Sequence, residues 1–351
     1  MNQNNLVLTT LSDNPEYFEE VISLIEEEFH YTNNHHYERD FAPLVNPLNF
    51  DNCFLYVEQE TNRVVAHLGV CLRKMIKGES EISVALIGGI VTHKKHRGAG
   101  LFKNLMNHAL VQYQEKVGLF ILWSDLENIY EKFSFFRTGG LVQTGNRNLI
   151  SADKPLGFEK KTFDQLSDKE FDEVVACYKN FNEKYFFTIK REDKEWSIIR
   201  EMSSIDLYVK KNKEKIINKY FCINKGRDLT HIIHEISCSN KRDFLSFARE
   251  LTQFKVWLPE TELESFPHSE VFYTSFIKIA SSEILNIFLA EITKNELRIL
   301  NTQDNLIEFQ YREDKFKVSY KDFLQYLFGP KPLVEFAKYD LSLYITGADS
   351  I

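Results

Sequence analysis

Residues 93–101 have the composition of an anion-binding turn. They contain a basic run that ends at Arg97, followed by Gly98 and Gly100. An apolar run at 84–91 precedes the turn, and the pattern of an amphipathic helix begins near Leu101. Glycines let backbone N–H groups approach a ligand closely, and the unpaired donors at a helix N-terminus favour an anion. The sequence therefore predicts a pyrophosphate-binding loop between a buried strand and a helix.

Two common phosphate-binding motifs do not fit this loop. A dinucleotide-binding G-x-G-x-x-G would need a third glycine where the chain has Lys103. A Walker motif would need a Lys-Ser/Thr pair directly after the second glycine, and none follows Gly100. The remaining pattern is Lys95-x-x-Gly98-x-Gly100 after an apolar strand.

That pattern resembles the coenzyme A loop of the GCN5-related N-acetyltransferases (GNAT), Arg/Gln-x-x-Gly-x-Gly/Ala, with Lys95 at the first position. About thirty residues later, the segment NIYEKFSF at 128–135 resembles the Tyr-x-x-x-Gly-Phe segment that follows the fifth strand of that family. Tyr130 matches the tyrosine, and Ser134 stands where glycine is usual. The resemblance implies an α/β (α+β) fold with a central mixed sheet and acetyl-coenzyme A as co-substrate.

The resemblance also assigns coenzyme-binding residues. The loop residues would hold the diphosphate, with Asn128 contributing from the tyrosine segment: Lys95, His96, Arg97, Gly98, Ala99, Gly100 and Leu101. A bulge in the fourth strand, which aims a backbone N–H at the thioester carbonyl, maps to Gly88, Gly89 and Ile90. Two glycines inside one strand weaken it, which favours a bulge over a regular buried strand.

Two further residues receive catalytic roles. Tyr130 would protonate the departing thiolate, because its hydroxyl can donate a proton from an uncharged state. No side chain stands out as the base. In the enhanced-intracellular-survival (Eis-type) group of the family, the terminal carboxylate of the chain serves as the base. The resemblance therefore assigns this role to the α-carboxylate of Ile351. Rival bases are Glu26, Glu58 and Asp125.

The chain divides into three units by pattern. Residues 1–150 read as β-α-loop-β-β-β-α-β-α, with a closing strand at 141–150, and form the GNAT unit. Residues 155–268 repeat that order without the glycine loop, which predicts a degenerate second GNAT-like domain; an unrelated α+β domain is the alternative. Residues 269–351 form a small C-terminal α+β unit. A tandem arrangement of this kind resembles the Eis-type acetyltransferases over the whole chain.

Composition limits the partners. The 351 residues carry 43 basic and 51 acidic side chains, a net charge of −8, which argues against nucleic acid. Five scattered cysteines without a C-x-x-C pair indicate reduced thiols and a cytoplasmic protein. The sequence shows no leader and no apolar run of membrane length. The adjacent His35 and His36 lack the spacing of a metal site, so no metal is expected.

These observations predict an acetyl-CoA-dependent N-acetyltransferase that acts on a primary amine, either a small molecule or a lysine side chain. The irregular stretch 30–49 would form part of the acceptor wall by resemblance, and the acidic run at Glu26, Glu27 and Glu28 is a solvated helix face or an acidic lip. The resembled group implies a homo-oligomer. Two alternatives stay open: a non-catalytic acyl-CoA or metabolite sensor, and a tRNA-dependent aminoacyl transferase, which a charge of −8 does not favour.

Overall fold

A computed structural model describes residues 5–32, 35–145, 157–266, 269–303, 305–331 and 333–351. In these residues the strands form one thirteen-stranded sheet and one three-stranded sheet. The strands are β1 (Leu6–Thr10), β2 (Cys53–Glu58), β3 (Arg63–Lys77), β4 (Ser80–Thr92), β5 (Leu119–Leu122), β6 (Phe136–Thr144), β7 (Glu159–Lys161), β8 (Thr188–Lys190), β9 (Asp206–Lys211), β10 (Ile217–Ile223), β11 (Ile232–Cys238), β12 (Lys255–Pro259), β13 (Glu270–Ile279), β14 (Leu297–Gln303), β15 (Leu306–Tyr311) and β16 (Asp314–Ser319). The α-helices are α1 (Phe18–Glu28), α2 (Tyr37–Asp40), α3 (Ala42–Val45), α4 (Leu101–Tyr113), α5 (Glu127–Tyr130), α6 (Asp168–Tyr178), α7 (Asp193–Arg200), α8 (Lys241–Glu250), α9 (Ser282–Thr293), α10 (Tyr320–Phe328) and α11 (Val334–Ala337).

The unit β4–α4–β5 is the parallel crossover that the sequence predicts. β4 and β5 run parallel, with Val84 opposite Leu119 and Ile87 opposite Leu122. One face of α4 is buried against the sheet, because its apolar residues recur at helical spacing. These residues are Leu101, Leu105, Met106, Ala109 and Tyr113. The crossover places the N-terminus of α4 beside the end of β4.

The large sheet passes without a break through all three units expected from the sequence. β13 lies between β5 and β6 and pairs antiparallel with both, with Ile277 opposite Ile121 and Val271 opposite Val142. β6 in turn pairs antiparallel with β12, with Val256 opposite Thr144. From sequence the strand at 272–279 is expected in a separate C-terminal unit. In the structure it completes the sheet of the first unit.

The second half of the sheet repeats the order of the first. β9, β10 and β11 are antiparallel neighbours, and β11 then runs parallel to β12, with Ile233 opposite Val256. α8 connects these two strands, as α4 connects β4 and β5. The turn before α8 has the side chain of Asn240 as its cap, where α4 has Gly100. The junction between the two halves, including the end of the strand expected at 141–150, falls at residues 146–156, outside the described residues.

Helices cover both faces of the large sheet. α4 packs on one face, in a cluster with Phe54, Phe120 and Phe276. α1, α9 and α10 share a cluster on the other face, which includes Ile25, Phe288 and Phe323. Across the described residues, the helices are all too short or too polar to span a bilayer.

Candidate active site

The fourth strand contains the bulge that the sequence predicts at Gly88–Ile90. His67 of β3 pairs with Val91, whereas Gly69 pairs with Gly88, so β4 has one residue more than β3 over this stretch. Gly89 has φ +59°, a left-handed conformation that favours glycine. The pairing of β4 with β5 ends at Ile87. The prediction of a bulge is therefore confirmed, and the two parallel strands separate directly beside it.

The buried His67 braces this bulge. Its Nδ1 lies 2.7 Å from the carbonyl oxygen of Gly89, and because a carbonyl only accepts, Nδ1 carries the proton. The ring is fully buried, and burial lowers the pKa of His67 to about 4, opposed by this hydrogen bond. The imidazole is thus neutral at physiological pH. No motif in the sequence points to this histidine, because it is a single polar residue within an apolar strand.

A cavity of about 480 Å³ opens at the bulge. Gly88, Gly89 and Ile90 line it from β4, and Trp123 and Ser124 line it from the end of β5. Tyr130 and Ile351, the two predicted catalytic residues, also line it. Glu26, Glu58 and Asp125, the rival bases, and Asn128 are not among its lining residues.

The chain terminus lies against the bulge. A Cβ built on Gly88 would lie 3.0 Å from the carboxyl carbon of Ile351 and 3.1 Å from one of its oxygens. Such distances are tighter than ordinary van der Waals contact, so the terminal residue fits because position 88 is glycine. Ile351 is only 9% exposed. Ile351 and Gly88 of the bulge, which are 263 positions apart in the sequence, are therefore brought together.

Lys225 holds the last residues of the chain. Its buried Nζ donates to the carbonyl oxygens of Gly347 and Ser350, at 2.6 and 2.5 Å, and to Oγ of Ser350 at 3.2 Å. Burial lowers the pKa of Lys225 to about 7, while Asp349 and Asp40 act in the opposite direction. The tail is thus fixed one residue before its carboxylate.

A fully buried ion cluster also anchors the tail. Arg191 donates from Nη2 to Asp349 at 2.8 Å and to Thr346 at 2.9 Å, and from Nη1 to Glu235 at 3.1 Å. The Arg191 guanidinium lies 3.9 Å from the ring centre of Tyr178. Buried charges are tolerated when paired and hydrogen-bonded in this way. Glu235 lies on β11, in the half of the sheet that lacks the glycine loop, and Arg191 directly follows β8, which pairs with β3 of the other half. Residues attached to both halves of the sheet therefore position the chain terminus.

Tyr130 is positioned as an uncharged donor. Its side chain is 6% exposed and packs against Phe102, Phe135 and Phe276, with ring centres 5.7 to 6.5 Å apart. Burial raises the pKa of Tyr130, opposed by a hydrogen bond with Ser124. The hydroxyl therefore keeps its proton at neutral pH. Asn128, predicted beside it, is exposed.

The glycine loop has the geometry of an open anion site. Gly98 and Gly100 both have φ +81°, and Gly100 caps α4 without a side chain. Apart from the adjacent backbone, no atom of the described residues lies within 4 Å of the position that a Cβ would take on either glycine. Backbone N–H groups at the start of α4, near Leu101, are therefore accessible to a ligand, as a coenzyme diphosphate requires.

The basic run beside the loop is partly neutralised. Nζ of Lys94 lies 3.1 Å from Glu27, and Arg97 pairs with Glu28. His96 is buried, 3.8 Å from Glu58. Glu27 of the acidic run is exposed, as a solvated helix face requires, although Glu27 and Glu28 also pair with the basic run. Glu26, Glu27 and Glu28 are not among the residues that line the cavity. Among the described residues, Lys95 and His93 are the members of this run that have no ion pair.

Comparison with known proteins relates this geometry to one family. Residues 12–137 match the family model described as "Acetyltransferase (GNAT) domain". No curated protein sequence matches the chain. The matched segment contains the bulge, the glycine loop and Tyr130.

Several solved structures share the fold over most of the chain. One is a probable N-acyltransferase of Enterococcus faecalis, with 11% identity, a TM-score of 0.57, and coverage of 90% of this chain and 85% of the other. Eis1 of Mycobacterium abscessus has 10% identity and a TM-score of 0.56, over 89% and 84% of the two chains. The N-myristoyltransferase of Saccharomyces cerevisiae, with bound myristoyl-CoA, has 12% identity and a TM-score of 0.56, over 80% and 84%. At these identities the similarity concerns the fold.

Proposed function

We propose that this chain, whose residues 12–137 match the GNAT acetyltransferase model, is an N-acyltransferase that moves an acetyl group from acetyl-CoA to a primary amine. The observation that carries the proposal is the convergence of three groups on one cavity. The β4 bulge at Gly89, the hydroxyl-bearing Tyr130 and the terminal residue Ile351 all line it. Each matches one requirement of acyl transfer from a thioester.

Binding of the acyl donor would use the loop and the separated strands. The open space at Gly98 and Gly100, together with the N-terminus of α4, fits a diphosphate. Lys95 is available as an additional cation. The separation of β4 from β5 beyond Ile87 leaves room for the pantetheine arm to run towards the bulge.

In the chemical step, groups of this chain would stabilise the charge that develops and move the protons. The amine nitrogen attacks the thioester carbonyl, a C–N bond forms and the C–S bond breaks. A backbone N–H of the bulge would donate to the carbonyl oxygen as negative charge develops there. The carboxylate of Ile351 would take one proton from the ammonium before the attack. Tyr130 would donate its proton to the departing thiolate and regain one from the nitrogen, which loses its second proton as the amide forms. Lys225 and Arg191 act through the tail and are positioning residues.

Amine-dependent release of coenzyme A thiol tests the proposal. All five cysteines are buried, so a colorimetric thiol reagent reports mainly the released product. The proposal expects thiol release from acetyl-CoA that depends on both protein and amine. Binding of acetyl-CoA without release under any amine would instead favour a non-catalytic sensor.

A further inference from the structure

The cavity has an aromatic wall, which we define as Phe29, Tyr31, Tyr37 and Phe41. Tyr37 is at its centre. Its ring stacks on Phe41 at 4.8 Å and meets Phe29 and Tyr31 edge-on at 6.2 and 6.0 Å. β12 and β13 add a second aromatic pair, Trp257 and Phe272, whose ring centres are 5.5 Å apart.

Part of this aromatic surface is uncovered. Phe29 is 40% exposed, although it lies in a cluster of rings. Tyr31, Phe41 and Trp257 are partly exposed as well. A large apolar surface open to a cavity indicates a site for an apolar ligand group.

The Tyr37 hydroxyl is a second sign of a ligand. The side chain is 1% exposed, and its oxygen has no hydrogen-bond partner among the described residues. A Cβ built on Gly89 would lie 3.0 Å from this oxygen, so the hydroxyl is beside the bulge. A buried hydroxyl without a partner is unfavourable. A polar group of a substrate at the bulge would supply that partner.

Two carboxylates and two basic side chains line the cavity. They are the carboxylates of Ile351 and Asp228 and the side chains of Lys225 and Arg227. Arg227 donates to the backbone carbonyls of Phe29 and His30 at 3.3 and 3.4 Å. Glu26 and Asp40, which neighbour the aromatic wall in sequence, are not among the lining residues. A ligand with several positive charges would therefore meet too few carboxylates.

From this combination we infer the class of the acceptor, an inference that rests on the proposed function. The acceptor is a primary amine with a single positive charge on an aromatic body, not a polycation. Its ring packs against the aromatic wall, and one ammonium is attracted by the ring faces and by the terminal carboxylate. The Tyr37 hydroxyl is a hydrogen-bonding group for this substrate beside the bulge.

A panel of amines with acetyl-CoA tests the inference. 2-Phenylethylamine, spermidine, kanamycin and a lysine-containing peptide are compared by thiol release, each over a range of concentrations. We expect kcat/KM for 2-phenylethylamine to exceed that for each of the other three by at least about tenfold, the range that pocket contacts give. Tyr37→Phe should lower kcat/KM for 2-phenylethylamine severalfold while leaving the Kd of acetyl-CoA unchanged.

Tyr17→Phe is the matched control and should leave kcat/KM unchanged. The Tyr17 hydroxyl donates to Asn62 at 2.5 Å, and Tyr17 does not line the cavity. Equal or better use of spermidine, kanamycin or the peptide, with acetyl-CoA still consumed, would overturn the acceptor class and leave the proposed function standing. If no amine in the panel releases thiol, both the acceptor class and the proposed function fall.

Discussion

The carboxyl carbon of Ile351 lies 3.0 Å from the position that a Cβ on Gly88 would take. The position of Ile351 therefore requires glycine, which has no side chain, at the first residue of the β4 bulge. The bulge and Ile351 have different roles in the proposed reaction. The bulge would stabilise negative charge on the acyl oxygen, and the carboxylate would remove a proton from the amine.

Gly88→Ala should displace the chain terminus. Gly88 does not have a positive φ, so alanine is compatible with its backbone, but the new methyl group would crowd the Ile351 carboxyl group. We expect kcat to fall on the order of 100-fold, the effect of a misplaced catalytic group, with acetyl-CoA affinity nearly unchanged. Steady-state kinetics and calorimetry measure the two quantities separately.

Gly78→Ala is the control for this substitution. Gly78 is at the turn between β3 and β4 with φ +64°, and among the described residues only its chain neighbours lie within 4 Å of its Cβ position. The variant should lose about 1 kcal/mol of stability and keep its rate. A Gly88→Ala enzyme with normal kcat would show that the terminus is not at the reacting atoms.

Extension of the chain by two glycines after Ile351 should remove the base. The tail is buried and held by Lys225, so the new carboxylate cannot occupy the old position. General-base loss predicts a fall in kcat of about 10²–10⁴-fold. The same two glycines placed before Met1 should have no effect on kcat. Full activity of the C-terminally extended protein would assign the base to another group.

Tyr130→Phe should slow the departure of the thiolate. We expect kcat to fall by one to two orders of magnitude, about 1.4–2.7 kcal/mol in the barrier, because only the hydroxyl is lost from a packed ring. Tyr113→Phe is the matched control. Tyr113 is also buried, but its hydroxyl bonds Asn52 and does not line the cavity. Equal rates for the two variants would exclude Tyr130 as the acid.

His67 should make the fold sensitive to acid. The unfolded chain protonates this histidine near its ordinary pKa of 6.5, whereas burial holds the native pKa near 4. Between these values the unfolded state binds more protons, so stability falls as pH drops from about 6.5 to 4. The loss is about 3 kcal/mol. His234, also fully buried with a pKa lowered to about 4, adds a similar loss.

Urea unfolding at a series of pH values measures this effect. His67→Gln can keep a donor to the Gly89 carbonyl but does not titrate, so its stability should decline less steeply below pH 6.5. His108→Gln, at an exposed histidine of α4, should behave like the wild type. Parallel pH profiles for His67→Gln and the wild type would mean that the pKa of His67 is the same in the native and the unfolded protein, which contradicts this account.

The local part of the site follows from the sequence. The apolar run of β4, the two positive-φ glycines and the helical spacing of α4 are all encoded within about thirty residues. The glycine pair at 88–89 also predicts the bulge, because regular strands exclude such pairs. These features depend on backbone conformation and periodicity, which a single segment determines.

The long-range part does not follow from the sequence. β13 has an ordinary strand pattern, and nothing in it identifies β5 and β6 as its partners. Arg191, Glu235 and Asp349 look like solvated charges when taken singly, yet they form one buried cluster. Glu28 and Arg97, 69 positions apart, pair for the same reason. Only tertiary packing brings such groups together.

Equilibrium dialysis with labelled acetyl-CoA tests the central claim most directly. One glycine loop serves the whole chain, so we predict one acetyl-CoA bound per chain at saturation. Gly98→Glu should abolish this binding, because it places a carboxylate and a strained positive-φ side chain where the diphosphate is proposed to bind. No binding by the folded wild type, or undiminished binding by Gly98→Glu, would contradict the account.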